Sequence, residues 1–475
     1  MRPIQDVLRI ADLLENRANS SGHRSPTERP ARPCTDLGNS ERLFALHGDD
    51  LRYCHHWKSW LVWDGVRWIR DEGGLAVQRA KDTARAIYHE AAEETDDAIR
   101  KETAAWAKRS ESKDRISAML FLAQSDLAIT PRDLDVDPWL LNCQNGTLDL
   151  RTGELRPHHR DDYLTKLAPV DYAPTAEAPV WSAFLDRIMA GNQQLITFLQ
   201  RAAGYGCTGS VREECLFFLH GTGKNGKSKF LGGIHDALGD YASTAAPDLL
   251  MAKRGDGNHP TELADLFGRR FVSTIESEDG RRFAESLLKM LTGGDQVKAR
   301  GLYENFWEFN PTHKFYLASN HRPVIKGTDL GIWRRILLIP FEVTIPEAEQ
   351  DKCLAEKLTG ERAGLLAWLV AGCIAWQQDG LQPPEQVRAA TESYKQQMDT
   401  IGDFLRDRCE EADGLSARSS AIYEAYKQWC QETGEKAESQ KALSGRLEER
   451  GLKKERDMRG IFWSGIAVAP EEAQS

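Results

Sequence analysis

The chain has 475 residues, 41% of them hydrophobic and 28% charged, which suits a globular protein too long for one core, so two to four domains are expected. A net charge of −10 argues against a protein that coats nucleic acid with its whole surface, and leaves room only for local basic loops at a channel or groove. No apolar run approaches the ~20 residues of a membrane span, and the polar start Met1-Arg2-Pro3-Ile4-Gln5-Asp6 is unlike a signal peptide. The nine cysteines form no C-x-x-C pair, so neither a zinc ribbon nor a disulfide framework is suggested, and reduced thiols in the cytoplasm is the simplest reading. Cys54-His55-His56 could seed a metal site but has no matching second pair.

Residues 1–42 read as a disordered tail; Asn19 to Asn39 is rich in Ser, Arg, Pro and Gly with almost no apolar periodicity. An α+β domain is expected over 43–180. In it, Trp57 to Trp68 alternates aromatic and polar residues around Asp64-Gly65 and predicts a β-hairpin, whose tryptophans either pack the domain or stack on bases. Helices follow from Ala76 to Gln124, and Asn145-Gly146 marks a second hairpin between Leu140 and Leu150. Proline-rich residues 173–179 mark a boundary, and Trp181 to Gly204 reads as helix leading into a core expected over 181–395.

That core opens on Phe217-Phe218-Leu219-His220, an apolar strand running into Gly221-Thr222-Gly223-Lys224-Asn225-Gly226-Lys227-Ser228, which matches G-x-x-x-x-G-K-[ST]. Glycines let the backbone turn its N–H groups inward around phosphates, Lys227 supplies charge to the β- and γ-phosphates, and the Ser228 hydroxyl is placed to ligate Mg²⁺. The helix that follows adds its positive N-terminus to the same anion site. These residues predict binding of a nucleoside triphosphate.

Downstream, Arg270 to Asp279 is a strand-like run ending in carboxylates, of which Glu276 is assigned to the metal or to the attacking water, with Glu278 left open. A third strand, Lys314 to Ser319, delivers Asn320, either a turn-forming residue or a sensor of the γ-phosphate. Arg334 and Arg335 stand just before another buried strand, where one is expected to make a surface salt bridge and the other to reach a neighbouring subunit's γ-phosphate. Lys289, Lys298 and Arg300 flank Gly293-Gly294, as a protruding basic hairpin would; on an acidic chain this loop is a candidate contact for a nucleic-acid backbone.

Residues 396–475 read as a separate small domain. Helices are expected over Ala421 to Thr433 and Ser439 to Arg450, then a hairpin of Leu452 to Asp457 with Ile461 to Ile466. Helix, helix and hairpin in that order suggest a DNA-binding winged helix, with a plain packing domain as the alternative.

Gly221 to Ser228, Glu276, Leu291-Thr292-Gly293-Gly294-Asp295, Ser319-Asn320 and Trp333-Arg334-Arg335 together resemble superfamily three helicases, most of all the helicase portion of phage and plasmid primases related to the poxvirus primase–helicase. Trp60 to Gly65, Leu141-Asn142 and Asn145-Gly146 resemble the domain preceding that helicase, so the resemblance runs from about Leu43 to Val468. Many members carry two adjacent acids at the second strand's end, whereas here Ser277 separates Glu276 from Glu278. The resemblance implies an AAA+-like P-loop core with a parallel sheet, assembled as a ring-shaped hexamer with ATP and Mg²⁺ between subunits. It implies ATP-driven translocation on single-stranded and forked DNA in replication of a phage, plasmid or prophage element, with a separately encoded primase as a candidate partner. Residues before Leu43 are too few for a primase domain, so a stand-alone helicase module is expected. Two rivals stay open: an ATP-switched origin-binding or regulatory protein without unwinding activity, and a DNA packaging or remodelling motor.

Overall fold

The computed structural model describes residues 32–252, 260–276, 280–301, 304–325, 330–457 and 460–469. The chain divides into two compact units, one of residues 1–53 with 71–128 and the other of 54–70 with 129–475.

The first unit is built on four helices: α1 (Asp36–His47), α2 (Leu75–Glu93), α3 (Asp97–Ser110) and α4 (Lys113–Asp126). Helix α1 begins inside the segment read as a tail. Thr35, in extended backbone, accepts from the Gly38 amide and Asp36 supplies an acid to the first turn, so capping starts the helix before any apolar period appears. Its anchor is polar as well: the Trp106 indole donates to Asn39 Oδ1 at 2.9 Å, and Asn39 Nδ2 donates to Ser110 Oγ at 2.9 Å, all buried. Residues 1–31, the rest of that segment, lie outside the described residues.

In the second unit β1 (Ser59–Trp63) and β2 (Trp68–Arg70) pair antiparallel with Trp63 opposite Trp68. Asp64 Oδ1 closes the turn by accepting from the Val66 and Arg67 amides. Trp57 and Trp68 are buried, Trp57 edge-on to Phe267 and Trp307 and Trp68 stacked on Tyr163 at 5.8 Å, which is a packing role. Strands β3 (Leu140–Cys143), β4 (Gly146–Asp149) and β5 (Glu154–Arg156) form an antiparallel sheet in that order. The boundary drawn at residue 180 does not separate compact units, because Trp57, Leu61 and Trp68 share one apolar core with Leu216, Phe218 and Phe315.

The single helix expected from Trp181 to Gly204 is two, α5 (Pro179–Ile188) and α6 (Gln193–Gly206). Ala190 and Gly191 turn left-handed between them, and Asn192 caps α6 by accepting from the Gln194 and Leu195 amides. There follow β6 (Leu216–His220), α7 (Lys227–Leu238), β7 (Ala242–Thr244), β8 (Phe271–Glu276), α8 (Glu285–Thr292), β9 (Val297–Ala299), β10 (Trp307–Phe309), β11 (Lys314–Ser319) and β12 (Ile336–Pro340). Five of these strands make one wholly parallel sheet in the order β12–β6–β11–β8–β7. All six residues of β11 and the first four of β6 are buried, as strands covered on both faces must be. Helix α9 (Arg362–Asp379) lies against α6, and no single described helix is long and apolar enough to cross a membrane.

The C-terminal region runs α10 (Glu385–Gln397), α11 (Thr400–Arg408), β13 (Cys409–Arg418), α12 (Ser419–Thr433), α13 (Gln440–Glu449), β14 (Lys453–Asp457) and β15 (Gly460–Val468). Strand β13 was not expected: its polar residues lack alternation, and it forms by pairing antiparallel with β15, which also pairs with β14. Phe404, Trp429, Leu447 and Trp463 lie in its own apolar cluster.

Candidate functional site

Strand β6 ends at His220, the glycine-rich loop crosses Gly221 to Gly226, and α7 starts at Lys227. Gly223, Lys224 and Gly226 take positive φ of 108°, 49° and 86°. A Cβ on Gly221 would stand 2.1 Å from the Phe341 carbonyl oxygen, and one on Gly226 would stand 2.6 Å from Ile188 Cγ2. The segment after β12 braces the loop from beneath: Asn225 Nδ2 donates to the Phe341 carbonyl at 3.1 Å, and the Ile345 amide donates to the Lys224 carbonyl at 2.8 Å. Gly226 caps α7 without a side chain. The first-turn amides of α7 are therefore not claimed by a capping group, which is the arrangement an anion uses.

Lys227 is buried. Its ammonium donates to the Gly221 carbonyl at 2.6 Å and to Asn320 Oδ1 at 3.0 Å, and among the described residues no carboxylate pairs with it. Burial lowers its pKa to about 8. A buried cation facing neutral oxygens fits an anionic ligand such as a triphosphate. Ser228 and Thr222 are exposed.

Strand register brings the other elements to the same edge. His220 stands opposite Ser319, and Ser319 opposite Glu276, so β6, β11 and β8 end level with one another. Ser319 Oγ accepts from the His321 amide at 3.0 Å, a tight turn that presents Asn320 to Lys227. Burial, then the nearby Arg322 and Lys227 charges, push His220 down to about 4, which leaves it neutral. Glu276 ends β8, while its side chain and the whole of Glu278 lie outside the described residues. A cleft of about 1040 Å³ is lined by Gly223 to Lys229 and Asn320 on its polar side and by Val180, Phe184, Ile345 and Leu354 on its apolar side. Its size and mixed lining suit a nucleotide.

Arg334 and Arg335 precede β12 and so lie at the opposite, amino-terminal edge of the parallel sheet, away from their own Lys227. Arg335 is buried; it donates to the Gly331 carbonyl at 2.7 Å and to Glu214 Oε2 at 2.9 Å. The Arg334 side chain is 65% exposed and touches the same carboxylate at 3.0 Å.

The basic residues are arranged differently from the expectation. Gly293 terminates α8 rather than turning a hairpin, and Lys289 sits in the last turn of that helix. The hairpin is β9 against β10, with Lys298 opposite Glu308 and Ala299 opposite Trp307. Its second strand was missed because it is three residues long; the only signal is the alternation Phe306-Trp307-Glu308-Phe309, with Trp307 and Phe309 buried. Phe306, which the sequence reading overlooked, is 48% exposed, with Lys298 Nζ 5.2 Å and the Arg300 guanidinium 4.6 Å from its ring centre.

Comparison with known proteins gives three family matches: "D5 N terminal like" over residues 40–190, a family of unknown function (DUF5906) over 219–335, and "Poxvirus D5 protein-like" over 396–457. Similar curated proteins include "Putative helicase L207/L206" of Acanthamoeba polyphaga mimivirus, 28% identical over 64% of this chain and 34% of that protein. Another is "Putative primase C962R" of African swine fever virus (isolate Warthog/Namibia/Wart80/1980), 24% identical over 62% of this chain and 34% of that protein. The chain thus spans about a third of the length of the curated relatives it matches. Among solved structures, the apo NrS-1 C-terminal region aligns with a TM-score of 0.48 at 11% identity, covering 90% of this chain and 99% of that one.

Proposed function

We propose that this chain, which belongs to the D5-like primase–helicase family, is an ATP-driven DNA helicase or translocase of a replicating mobile element. The observation that carries the reading is the meeting of Lys227 with Asn320 where β6 and β11 end, with Glu276 level on β8. The sheet order puts the glycine-rich loop between the outer strand β12 and the strand that carries Asn320, which supports an AAA+-like core. ATP would lie in the cleft, with its phosphates on the amides of Gly221 to Ser228 and on Lys227. Mg²⁺, held by Ser228 and Glu276, would neutralise charge on the transferred phosphoryl group. Asn320 orients the attacking water, and Arg334, exposed at the far edge of the sheet, serves a neighbour's site in a ring. Lys298 and Arg300 on the hairpin grip the DNA backbone.

A second reading, an ATP-switched origin-binding protein, draws on the C-terminal order helix, strand, helix, helix, strand, strand, which supports a winged helix. The exposed basic hairpin favours translocation, since a switch has no need of it. The deciding measurement is ATP hydrolysis with and without single-stranded DNA, alongside particle mass and unwinding of forked DNA. Hydrolysis indifferent to DNA from a monomeric particle would overturn the motor reading.

A further inference from the structure

A second groove, of about 490 Å³, lies alongside the β9–β10 hairpin. Lys298, Phe306, Trp307 and Glu308 of the hairpin form one part of its lining. His56 and the segment Thr130-Pro131-Arg132 form the other, and these come from well before the P-loop in sequence. Arg132 spans to Glu308 at 3.0 Å, an exposed pair that adds little stability but links the two parts.

The chemistry of this groove is specific. Phosphate contacts alone ask for lysines and arginines, and a phenyl ring contributes nothing to them. Yet Phe306 is half exposed beside two cations, in a position where folding does not require an aromatic residue. The two other aromatic residues of the hairpin strand, Trp307 and Phe309, are already buried in the core, so Phe306 is surplus to packing. A half-exposed aromatic ring with cations against it, lining a nucleotide-sized groove, is a combination that sequence-tolerant proteins use to hold a single strand: bases stack while phosphates are neutralised alongside.

We propose that this groove takes one unstacked base of the bound single strand, stacked on Phe306, with Lys298 and Arg300 holding the adjoining phosphates. The proposal rests on the motor reading and adds to it that the hairpin grips a base as well as the backbone. His56 and Arg132 then make a contact with DNA that lies outside the ATPase core.

The test uses the full chain and two labelled strands of equal length and charge, oligothymidylate and the same backbone with abasic spacers. Wild type should bind oligothymidylate more tightly than the abasic strand by at least about fivefold, the equivalent of about 1 kcal/mol. Phe306→Ala should remove that preference, Phe306→Trp should keep it, and Lys298→Gln should weaken both strands to a similar degree. Equal binding of the two strands by wild type, with hydrolysis still stimulated by DNA, overturns the base site and leaves the motor reading standing. A preference that survives Phe306→Ala also overturns it. Failure to bind either strand overturns the motor reading along with it.

Discussion

Lys227 and Asn320 meet between neighbouring strands, the ammonium on the first residue of α7 donating to the amide oxygen beyond β11 at 3.0 Å. An incoming triphosphate must compete with Asn320 and with the Gly221 carbonyl for that charge. Lys227→Ala should therefore abolish hydrolysis. Asn320→Ala should keep nucleotide binding and lower turnover on the order of 10²-fold, the scale of one lost polar contact to developing charge. Asn320→Asp should instead weaken binding, since a carboxylate in that place pairs with the ammonium and repels phosphate. Titration with a fluorescent ATP analogue separates the two variants, and equal affinity in both would remove Asn320 from the site. Glu276→Gln should resemble Asn320→Ala, binding without turnover.

The depressed pKa of Lys227 gives a pH dependence of known sign. Burial holds the group at about 8, well below the ordinary lysine value of 10.5, so it is charged below pH 8 and neutral above. ATP affinity should fall as pH rises through about 8. Near pH 8.5 binding should take up protons, because the phosphates favour the charged form. The nucleotide-free fold behaves oppositely: the unfolded chain binds more protons between pH 8 and 10.5, so this residue's contribution to stability rises with pH across that window. Calorimetry in two buffers of different ionisation enthalpy measures the uptake; none at pH 8.5 would sink the assignment.

Two loop glycines differ in what surrounds them. Gly226 has φ of 86° and its missing Cβ would press on Ile188 and Phe184, whereas Gly223 has φ of 108° with open space around it. Gly226→Ala combines backbone strain with a clash and should cost about 2–4 kcal/mol; Gly223→Ala carries strain alone, about 1–2 kcal/mol. Thermal unfolding midpoints should rank wild type highest, Gly223→Ala next and Gly226→Ala lowest. The reverse order of the two variants would count against this loop geometry.

The glycine-rich loop and the strands β6, β8, β11 and β12 were legible because each is an apolar run stopped by residues whose chemistry is recognisable in isolation. What escaped reading depends on distant partners. Strand β7 has three residues and exists through its pairing with Phe271, Val272 and Ser273. Strand β10 needs β9 to become a strand at all, so the sequence by itself points to Gly293-Gly294 as the turn between the basic residues. Helix α1 is fixed by Thr35 and by the buried Asn39 rather than by an apolar stripe. Strand β13 is a run of Glu, Ala, Asp and Gly that takes its conformation from β15. In each case tertiary pairing overrides a weak local preference.

Arg334 and Arg335 are adjacent in sequence and predict opposite phenotypes. The Arg335 side chain is 10% exposed, shares Glu214 with its neighbour and donates to the Gly331 carbonyl, and its own carbonyl accepts from the Leu216 amide at the start of β6. Removing it deletes a mostly buried guanidinium together with its bonds to the Gly331 carbonyl and to Glu214, which keeps Arg334, so Arg335→Ala should lower stability by about 1–2 kcal/mol. Among the described residues the Arg334 side chain is held through an exposed ion pair with Glu214, so Arg334→Ala should change stability by less than about 1 kcal/mol. Its effect should fall on hydrolysis, because a guanidinium inserted from a neighbour stabilises charge on the transferred phosphoryl group. Wild-type specific activity should then rise with protein concentration as rings assemble. Arg334→Ala mixed with Lys227→Ala should recover part of the activity that each lacks alone, since some interfaces unite an intact Lys227 with an intact Arg334. Stable Arg334→Ala protein with full activity, or a mixture no more active than its components, would exclude Arg334 as the residue supplied in trans.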